Sequence, residues 1–221
     1  MHDSALKCGE AFSEIFGGED KIVVDIGGMN MNGSLRQIFE SKKMKFISVD
    51  CVEHESVDVV VKHNDKLPFE TSSVDLIIST SCFSYNPCFW MTFKEMARIL
   101  KPNGFIYINT PSNNRVSRPT NASWYGDHWR FCADSGQALA YWSTVQLFNE
   151  ETHPVKVLET FHLAESSSKF QDFICIWQKV EQNEAVNCNR VSDNIILRRG
   201  TYEMHLIQNK NIETDRRIWF K

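Results

Sequence analysis

Residues 22–50 constrain the fold more than any other stretch of the chain. They run Ile-Val-Val-Asp-Ile-Gly-Gly-Met-Asn-Met-Asn-Gly-Ser-Leu-Arg and close on Phe-Ile-Ser-Val-Asp. The pattern predicts a buried strand, a glycine turn, a helix, and a second strand ending in an acid. Gly27, Gly28 and Gly33 lack a Cβ, so backbone in the turn can approach a ligand closely. Asp50 lies 23 residues beyond Gly27, where an acid can accept hydrogen bonds from a ribose hydroxyl pair. This is the signature of a nucleoside-cofactor half-site. The spacing Gly-Gly-x-x-x-x-Gly departs from the Gly-x-Gly-x-x-Gly that seats a dinucleotide pyrophosphate on a helix N-terminus.

A chain of 221 residues suits one well-cored α/β domain with decoration. Net charge of −4 gives no global reason to expect a nucleic-acid partner. The longest apolar runs, such as Ile22–Val24 and Leu76–Ile78, are strand-sized and far short of a membrane span. The first ten residues lack the basic-then-apolar pattern of a signal peptide. Seven scattered cysteines include no Cys-x-x-Cys pair, which argues against a disulfide framework or a structural zinc site and for a reducing compartment. Asn121-Ala-Ser123 matches a glycosylation acceptor only by chance without a secretory signal. The expectation is a soluble cytoplasmic domain with no metal.

Periodicity predicts helices over 4–17, 33–43 and 89–100. The last carries Phe93, Met96, Ala97 and Leu100 at helical spacing. Asn32 or Ser34 can cap the second helix, and Lys101-Pro-Asn-Gly ends the third. Asp134 can cap a further helix that carries Leu139 and Trp142. Strands are expected at 22–26, 45–50, 57–61, 74–79, 105–109, 155–162 and 170–178. The β-branched run Val57–Val61 reads as a buried strand. The last two strands, joined by a Glu-Ser-Ser-Ser turn, should be antiparallel. Alternation of strands and helices predicts a mostly parallel sheet covered on both faces. The domain should span 1–182, followed by a polar C-terminal extension over 183–221.

Three blocks, in order over residues 20–145, resemble class I S-adenosylmethionine-dependent methyltransferases. Asp25-Ile-Gly-Gly-Met-Asn-Met-Asn-Gly33 resembles their first motif. Leu67-Pro-Phe-Glu-Thr-Ser-Ser-Val-Asp-Leu-Ile-Ile-Ser-Thr and Phe93-Lys-Glu-Met-Ala-Arg-Ile-Leu-Lys-Pro-Asn-Gly-Phe-Ile-Tyr-Ile resemble the fourth strand, its helix and the fifth strand. Tyr125-Gly-Asp-His-Trp-Arg-Phe is similar to an Asp-x-Trp-Arg-Phe segment of a bacterial small-molecule and glycan branch, of the type 11 kind. The resemblance implies a Rossmann-like α/β fold with a seven-stranded, mostly parallel sheet, one antiparallel strand, and S-adenosyl-L-methionine as cofactor. It also implies roles. Asp25 and Gly27, Gly28 and Gly33 would surround the methionine portion, and Asp50 the ribose hydroxyls. Cys51 or Val52 would pack on adenine, His63, Asn64 or Asp65 would bind its amino group, and Ser79 to Ser81 would sit beside the sulfonium. The alternative for Asp25 is a structural acid holding backbone amides of the turn.

On the acceptor side the candidates are Asp127, His128 and Arg130, then Tyr85. His128 can take a proton from a sugar or phenol hydroxyl, and Arg130 can fork onto an anionic group. The competing reading makes Asp127 and Arg130 a structural ion pair. Trp124, Tyr125 and Trp129 would line an acceptor pocket or pack a lid. Two departures from the family pattern bear on catalysis. His63 stands near the usual place of an acid, and Phe83-Ser84-Tyr85-Asn86 replaces the branch's Phe-Glu-His-Asn.

Asn86-Pro-Cys-Phe is one residue from the Asn-Pro-Pro-Phe of enzymes acting on amino nitrogens, but it lies too far past the fourth strand. No tyrosine is followed four residues later by lysine, which argues against a short-chain oxidoreductase. The sequence therefore points to a methyltransferase acting on a small-molecule or saccharide acceptor, most plainly on oxygen. The alternative is a non-catalytic methyltransferase-like binding subunit.

Overall fold

The computed structural model describes residues 3–62, 65–112, 126–147, 155–165, 171–180, 191–192 and 202–206. Helix α1 (Asp3–Phe16) precedes β1 (Ile22–Ile26), α2 (Arg36–Glu40), β2 (Lys45–Asp50), β3 (Val59–Val60) and β4 (Val74–Thr80). Then follow α3 (Phe89–Ile99), β5 (Leu100–Pro111), α4 (Ser135–Leu147), β6 (Val155–Glu165), β7 (Gln171–Lys179) and β8 (Tyr202–Leu206).

All strands join one sheet in the order β3-β2-β1-β4-β5-β7-β6-β8. Strands β3 to β5 pair in parallel, and β7 runs antiparallel between β5 and β6. This is the expected seven-stranded sheet, with β8 added antiparallel against β6. The strand order reverses between β1 and β4, where the carboxyl ends of an open parallel sheet leave a crevice for ligands.

Successive strand residues point to opposite faces, and the core divides accordingly. Val23, Leu76, Ile78, Phe105, Tyr107, Ile174 and Ile176 pack with Phe12 and Phe16 of α1 and Phe39 of α2. Val24, Ile77, Ile106, Ile108, Phe173 and Trp177 pack with Phe93 and Met96 of α3 and Leu139 of α4. Helices therefore cover both faces. Stacking of Phe16 on Phe105 at 4.0 Å and of Phe12 on Tyr107 at 5.5 Å fixes the C-terminal half of α1.

Several boundaries depart from the sequence-based expectation. The run Val57–Val61 is not a buried strand. Only Val59 and Val60 pair, at the sheet edge, and Val60 is 52% exposed. A β-branched run fits an edge as readily as a centre, because propensity reports the pleat and not the burial. Helix α2 is shorter than 33–43 because the turn's tail, through Leu35, stays non-helical. Ser34 Oγ accepts from the Arg36 amide at 3.1 Å, so one of the two expected capping residues does bind the helix start. Strand β5 begins early, at Leu100. The register jumps from Val74↔Leu100 to Leu76↔Phe105, so Lys101-Pro-Asn-Gly bulges out, with Asn103 at φ 63°.

Lys179 at the end of β7 is fully buried. Its Nζ donates to the carbonyls of Ala97 at 2.9 Å and Leu100 at 2.8 Å, which the end of α3 leaves without helical partners. Within the expected C-terminal extension, the amides of Val191 and Ser192 donate to the buried Glu159 carboxylate at 2.6 and 3.3 Å. The Glu-Ser-Ser-Ser turn lies outside the described residues beyond Glu165.

Candidate active site at the carboxyl edge of the sheet

The glycine turn folds back over the end of β2. Gly27 N and Gly28 N both donate to Val49 O, at 2.8 and 3.1 Å. Met29 N donates to Asp50 Oδ2 at 3.1 Å and Asn30 N to Ser56 Oγ at 2.8 Å. Asn30 Oδ1 accepts from Gly33 N at 2.8 Å. The turn's amides are thus spent within the chain and do not form an open nest for a pyrophosphate. That agrees with the glycine spacing and with a cofactor that carries no phosphate.

Gly27 has φ +77°, and a Cβ there would come within 2.4 Å of Cys82 Sγ. A Cβ on Gly28 would meet Ser48 Oγ at 2.4 Å. The two glycines therefore keep the crevice between β1, β2 and β4 from being filled by side chains. Arg36, just past the turn, donates to Asp58 and lies over the Phe46 ring at 4.9 Å, anchoring α2 to β2.

Asp25 and Asp50 face this crevice, and both are buried. Burial, with the neighbouring Asp50 charge, pushes Asp25 up to about 7, and Arg36 offsets part of that. Asp50 Oδ1 accepts from the amides of Cys51 at 2.7 Å and Val52 at 3.2 Å. With Met29 N on Oδ2, three of roughly four acceptor positions on the carboxylate are occupied. The Cys51 thiol also hydrogen-bonds this carboxylate. Burial, then the charge of Asp50, pushes the Cys51 thiol up to about 11. The same two causes, with Asp25 added, push Cys82 up to about 12. Both thiols stay protonated at neutral pH and are poor nucleophiles.

Ser79, expected beside a sulfonium, donates its hydroxyl to Ile26 O at 2.8 Å and ties β4 to the end of β1. Ser81 holds φ 58° as the chain leaves β4, with its amide on Asn109 O at 2.8 Å. Strain at a strand end next to a crevice is common in functional sites. Asp65 is exposed. His63, Asn64, Trp124 and Tyr125 lie outside the described residues.

The segment 126–131 docks on the turn after β4. His128 N and Trp129 N donate to Ser84 O at 2.7 and 3.1 Å, and Trp129 Nε1 donates to Asn86 O at 3.0 Å. Trp129, Trp90, Phe89 and Phe131 form an edge-to-face cluster, with Phe89 to Phe131 at 4.9 Å. Arg130 forks onto Asp127, with Nη2 to Oδ2 at 2.7 Å, and the Asp127 side chain is only 2% exposed. That carboxylate raises Arg130 above its ordinary value. The structure thus realises the ion-pair reading of these two residues. His128 is exposed, and its ring lies against Gly126. Tyr85 sits in the turn, its amide on Cys82 O at 2.9 Å.

Among the described residues, the buried side-chain atoms without a hydrogen-bond partner are Asp25 Oδ1, Ser48 Oγ, Ser84 Oγ, both amide atoms of Asn109, and Thr110 Oγ1. All lie in the carboxyl halves of β1, β2 and β5, or in the turn after β4. Buried polar groups are rarely left unpaired, so their concentration at one edge marks the ligand face. Cys82, Asn109 and Thr110 escaped the sequence reading. Nothing in their local pattern separates them from ordinary strand-end residues. Among the described residues, no His, Cys, Asp and Glu side chains group to hold a metal ion, and no helix is long and apolar enough to cross a membrane.

Residues 29–108 match the family model described as a methyltransferase domain. No curated protein shows significant sequence similarity. Among solved structures, a Burkholderia thailandensis 1,6-didemethyltoxoflavin-N1-methyltransferase is similar at 13% identity and TM-score 0.60, over 81% of this chain and 80% of that one. It was solved with 1,6-didemethyltoxoflavin and S-adenosylhomocysteine. A Haemonchus contortus phosphoethanolamine N-methyltransferase 2 with S-adenosyl-L-methionine aligns at 12% identity and TM-score 0.54, over 79% of this chain and 52% of that one. The [4+2]-cyclase SpnF aligns at 9% identity and TM-score 0.58, over 79% and 81%. A methyltransferase-domain match over residues 29–108 thus sits within a chain whose fold is that of S-adenosylmethionine-dependent methyltransferases.

Proposed function

We propose that the protein binds S-adenosyl-L-methionine in the crevice between β1, β2 and β4. We further propose that it methylates a small-molecule or saccharide acceptor, on oxygen. The observation that carries this reading is the pairing of the glycine cradle with two buried carboxylates at the switch point of the sheet. The cofactor supplies an activated methyl carbon on a cationic sulfonium. Asp25 and Asp50 set a negative field there, which favours a ligand bearing positive charge. Asp50 takes a ribose hydroxyl in place of the weak thiol donor of Cys51, and the unpartnered Asp25 Oδ1 and Ser48 Oγ offer further positions. Cys51 follows Asp50 directly and packs beside the adenosine. The protein's task is to align the acceptor lone pair behind the methyl group and exclude water.

The toxoflavin neighbour acts on a small molecule, which supports an acceptor of that size. The named methyltransferase neighbours act on nitrogen, so the choice of oxygen rests on the bacterial resemblance and on His128 as base. With Asp127 committed to Arg130, that pair serves to hold the segment bearing His128. The six described cysteines are free thiols, which supports a reducing, cytoplasmic setting.

The test is calorimetric titration with S-adenosylmethionine and S-adenosylhomocysteine, followed by methyl transfer to hydroxyl- and amine-bearing acceptors. Micromolar binding of both ligands with transfer to hydroxyls is the expected result. Binding without turnover on any acceptor would favour the non-catalytic subunit. The cyclase among the neighbours is a reminder that this fold does not dictate one reaction.

A further inference from the structure

The unpartnered polar atoms fall into two groups on either side of the switch point. Asp25 Oδ1 and Ser48 Oγ lie on the β1–β2 side, beside the glycine cradle. Ser84 Oγ, the Asn109 amide and Thr110 Oγ1 lie on the β4–β5 side. If the cofactor occupies the first side, its methyl group points toward the second.

Asn109 stands out within that second group. It is fully buried, and neither its carbonyl nor its NH2 has a partner. A hydroxyl can turn toward whatever is near, but an amide must satisfy a donor and an acceptor in fixed directions. Leaving both unmade in a closed interior is costly. Its position is well defined. Phe105, Tyr107 and Asn109 share one face of β5, the face covered by α1. Asn109 pairs in register with Thr80 on β4 and Ile174 on β7. Above the same edge the first turn of α1, with Ser4 and Ala5 buried, adds polar contacts to its packing. Tyr107 Oη donates to Ala5 O at 3.1 Å, and Ser4 Oγ donates to Asp172.

We infer that Asn109 reads the methyl acceptor, and that the acceptor is an uncharged polar molecule presenting a donor and an acceptor together, as a hydroxyl or an amide edge does. This rests on the proposed methyl transfer. The electrostatics exclude anions. Asp172 lies one strand away, Asp25 and Asp50 lie across the switch point, and Arg130 is bound to Asp127 by both guanidinium nitrogens. A phosphate or carboxylate would enter a negative field, with the Arg130 cation already paired to Asp127.

The test uses Asn109→Leu, a near-isosteric change, in the full chain. Removing an unmade pair of hydrogen bonds should raise the melting temperature of the ligand-free protein by about 3–8 °C. S-adenosylhomocysteine affinity should stay within about twofold. Transfer of labelled methyl from S-adenosylmethionine is read on phenyl glucoside and benzamide, beside phenyl phosphate and benzoate. The wild type should accept only from the neutral pair, and Asn109→Leu should lose at least about tenfold in rate. Asn109→Thr keeps one hydrogen-bonding group and should fall between the two; it stands in if the leucine variant folds poorly. A lower melting temperature would show that the amide is structural and overturn the inference. So would loss of S-adenosylhomocysteine affinity, unchanged transfer, or preference for the anionic probes. If no probe is methylated, the melting temperature decides. Failure of the wild type to bind S-adenosylhomocysteine would instead sink the methyl-transfer reading.

Discussion

The two halves of the carboxyl edge are built from different chemistry. The β1–β2 half carries paired carboxylates, two thiols held protonated, and a turn whose amides are already used. The β4–β5 half carries neutral groups, a serine, a threonine and an asparagine, beneath a segment pinned by an ion pair and an aromatic cluster. On the proposed reading, charge in the first half favours a cationic cofactor, and the neutral groups of the second select by hydrogen bonding. The difference teaches that a single open sheet can hold its cofactor electrostatically and read its second ligand by geometry.

The sharpest way to break this contrast is Asp50→Ala. It removes the acceptor of three backbone amides as well as the ribose partner, and should weaken S-adenosylhomocysteine binding about 100-fold or more, about 3 kcal/mol. Normal binding in that calorimetric titration would move the cofactor elsewhere.

Next is Asp25, whose carboxyl titrates near 7 when folded against 3.8 for the ordinary group. The folded state binds the extra proton, so this group's destabilising effect is absent below about pH 4, grows as pH rises, and is complete above about pH 7. Asp25→Asn should therefore stabilise the ligand-free protein at pH 8 by on the order of 3 kcal/mol, and by almost nothing at pH 4. Chemical denaturation at the two pH values checks this. A cationic cofactor favours the ionised carboxyl, so wild-type affinity should climb with pH to about 7 and the climb should vanish in the variant.

In the other half, Arg130→Ala strands the Asp127 carboxylate and should cost about 2 kcal/mol of stability with little change in cofactor affinity. Equal stability would mean that the pair is ornamental. The smallest effect expected is that of His128→Ala, which should lower kcat about tenfold with S-adenosylhomocysteine affinity intact. An unchanged rate removes His128 from the chemistry.

The fully buried central strands were legible because parallel strands covered on both faces read as continuous apolar runs. β1 and β2 fall where Ile22–Ile26 and Lys45–Asp50 predict them. The proposed cofactor half was legible for a related reason: the glycines and Asp50 sit at fixed intervals on one βαβ unit, so local spacing brings them together. The acceptor half has no such record. Whether Asn109 finds a partner depends on β4, β7 and α1, which are far away in the chain. Cys82 meets Gly27 across 55 positions for the same reason. The Asp127-His-Trp-Arg130 segment showed its residues but not their roles, since two charges three apart may face a ligand or each other. Val59–Val60 failed because burial at an edge is set by what the neighbouring element covers.

The placement of β7 carries a consequence for how this chain is made. The strand that closes the sheet between β5 and β6 follows both of them in the chain, and its final residue is the buried Lys179 that completes the end of α3. Until β7 has been made, β5 presents a bare edge of apolar residues and α3 lacks its terminal partner. The sheet thus stays open until this one strand arrives. That interval is when holding chaperones matter most to this protein.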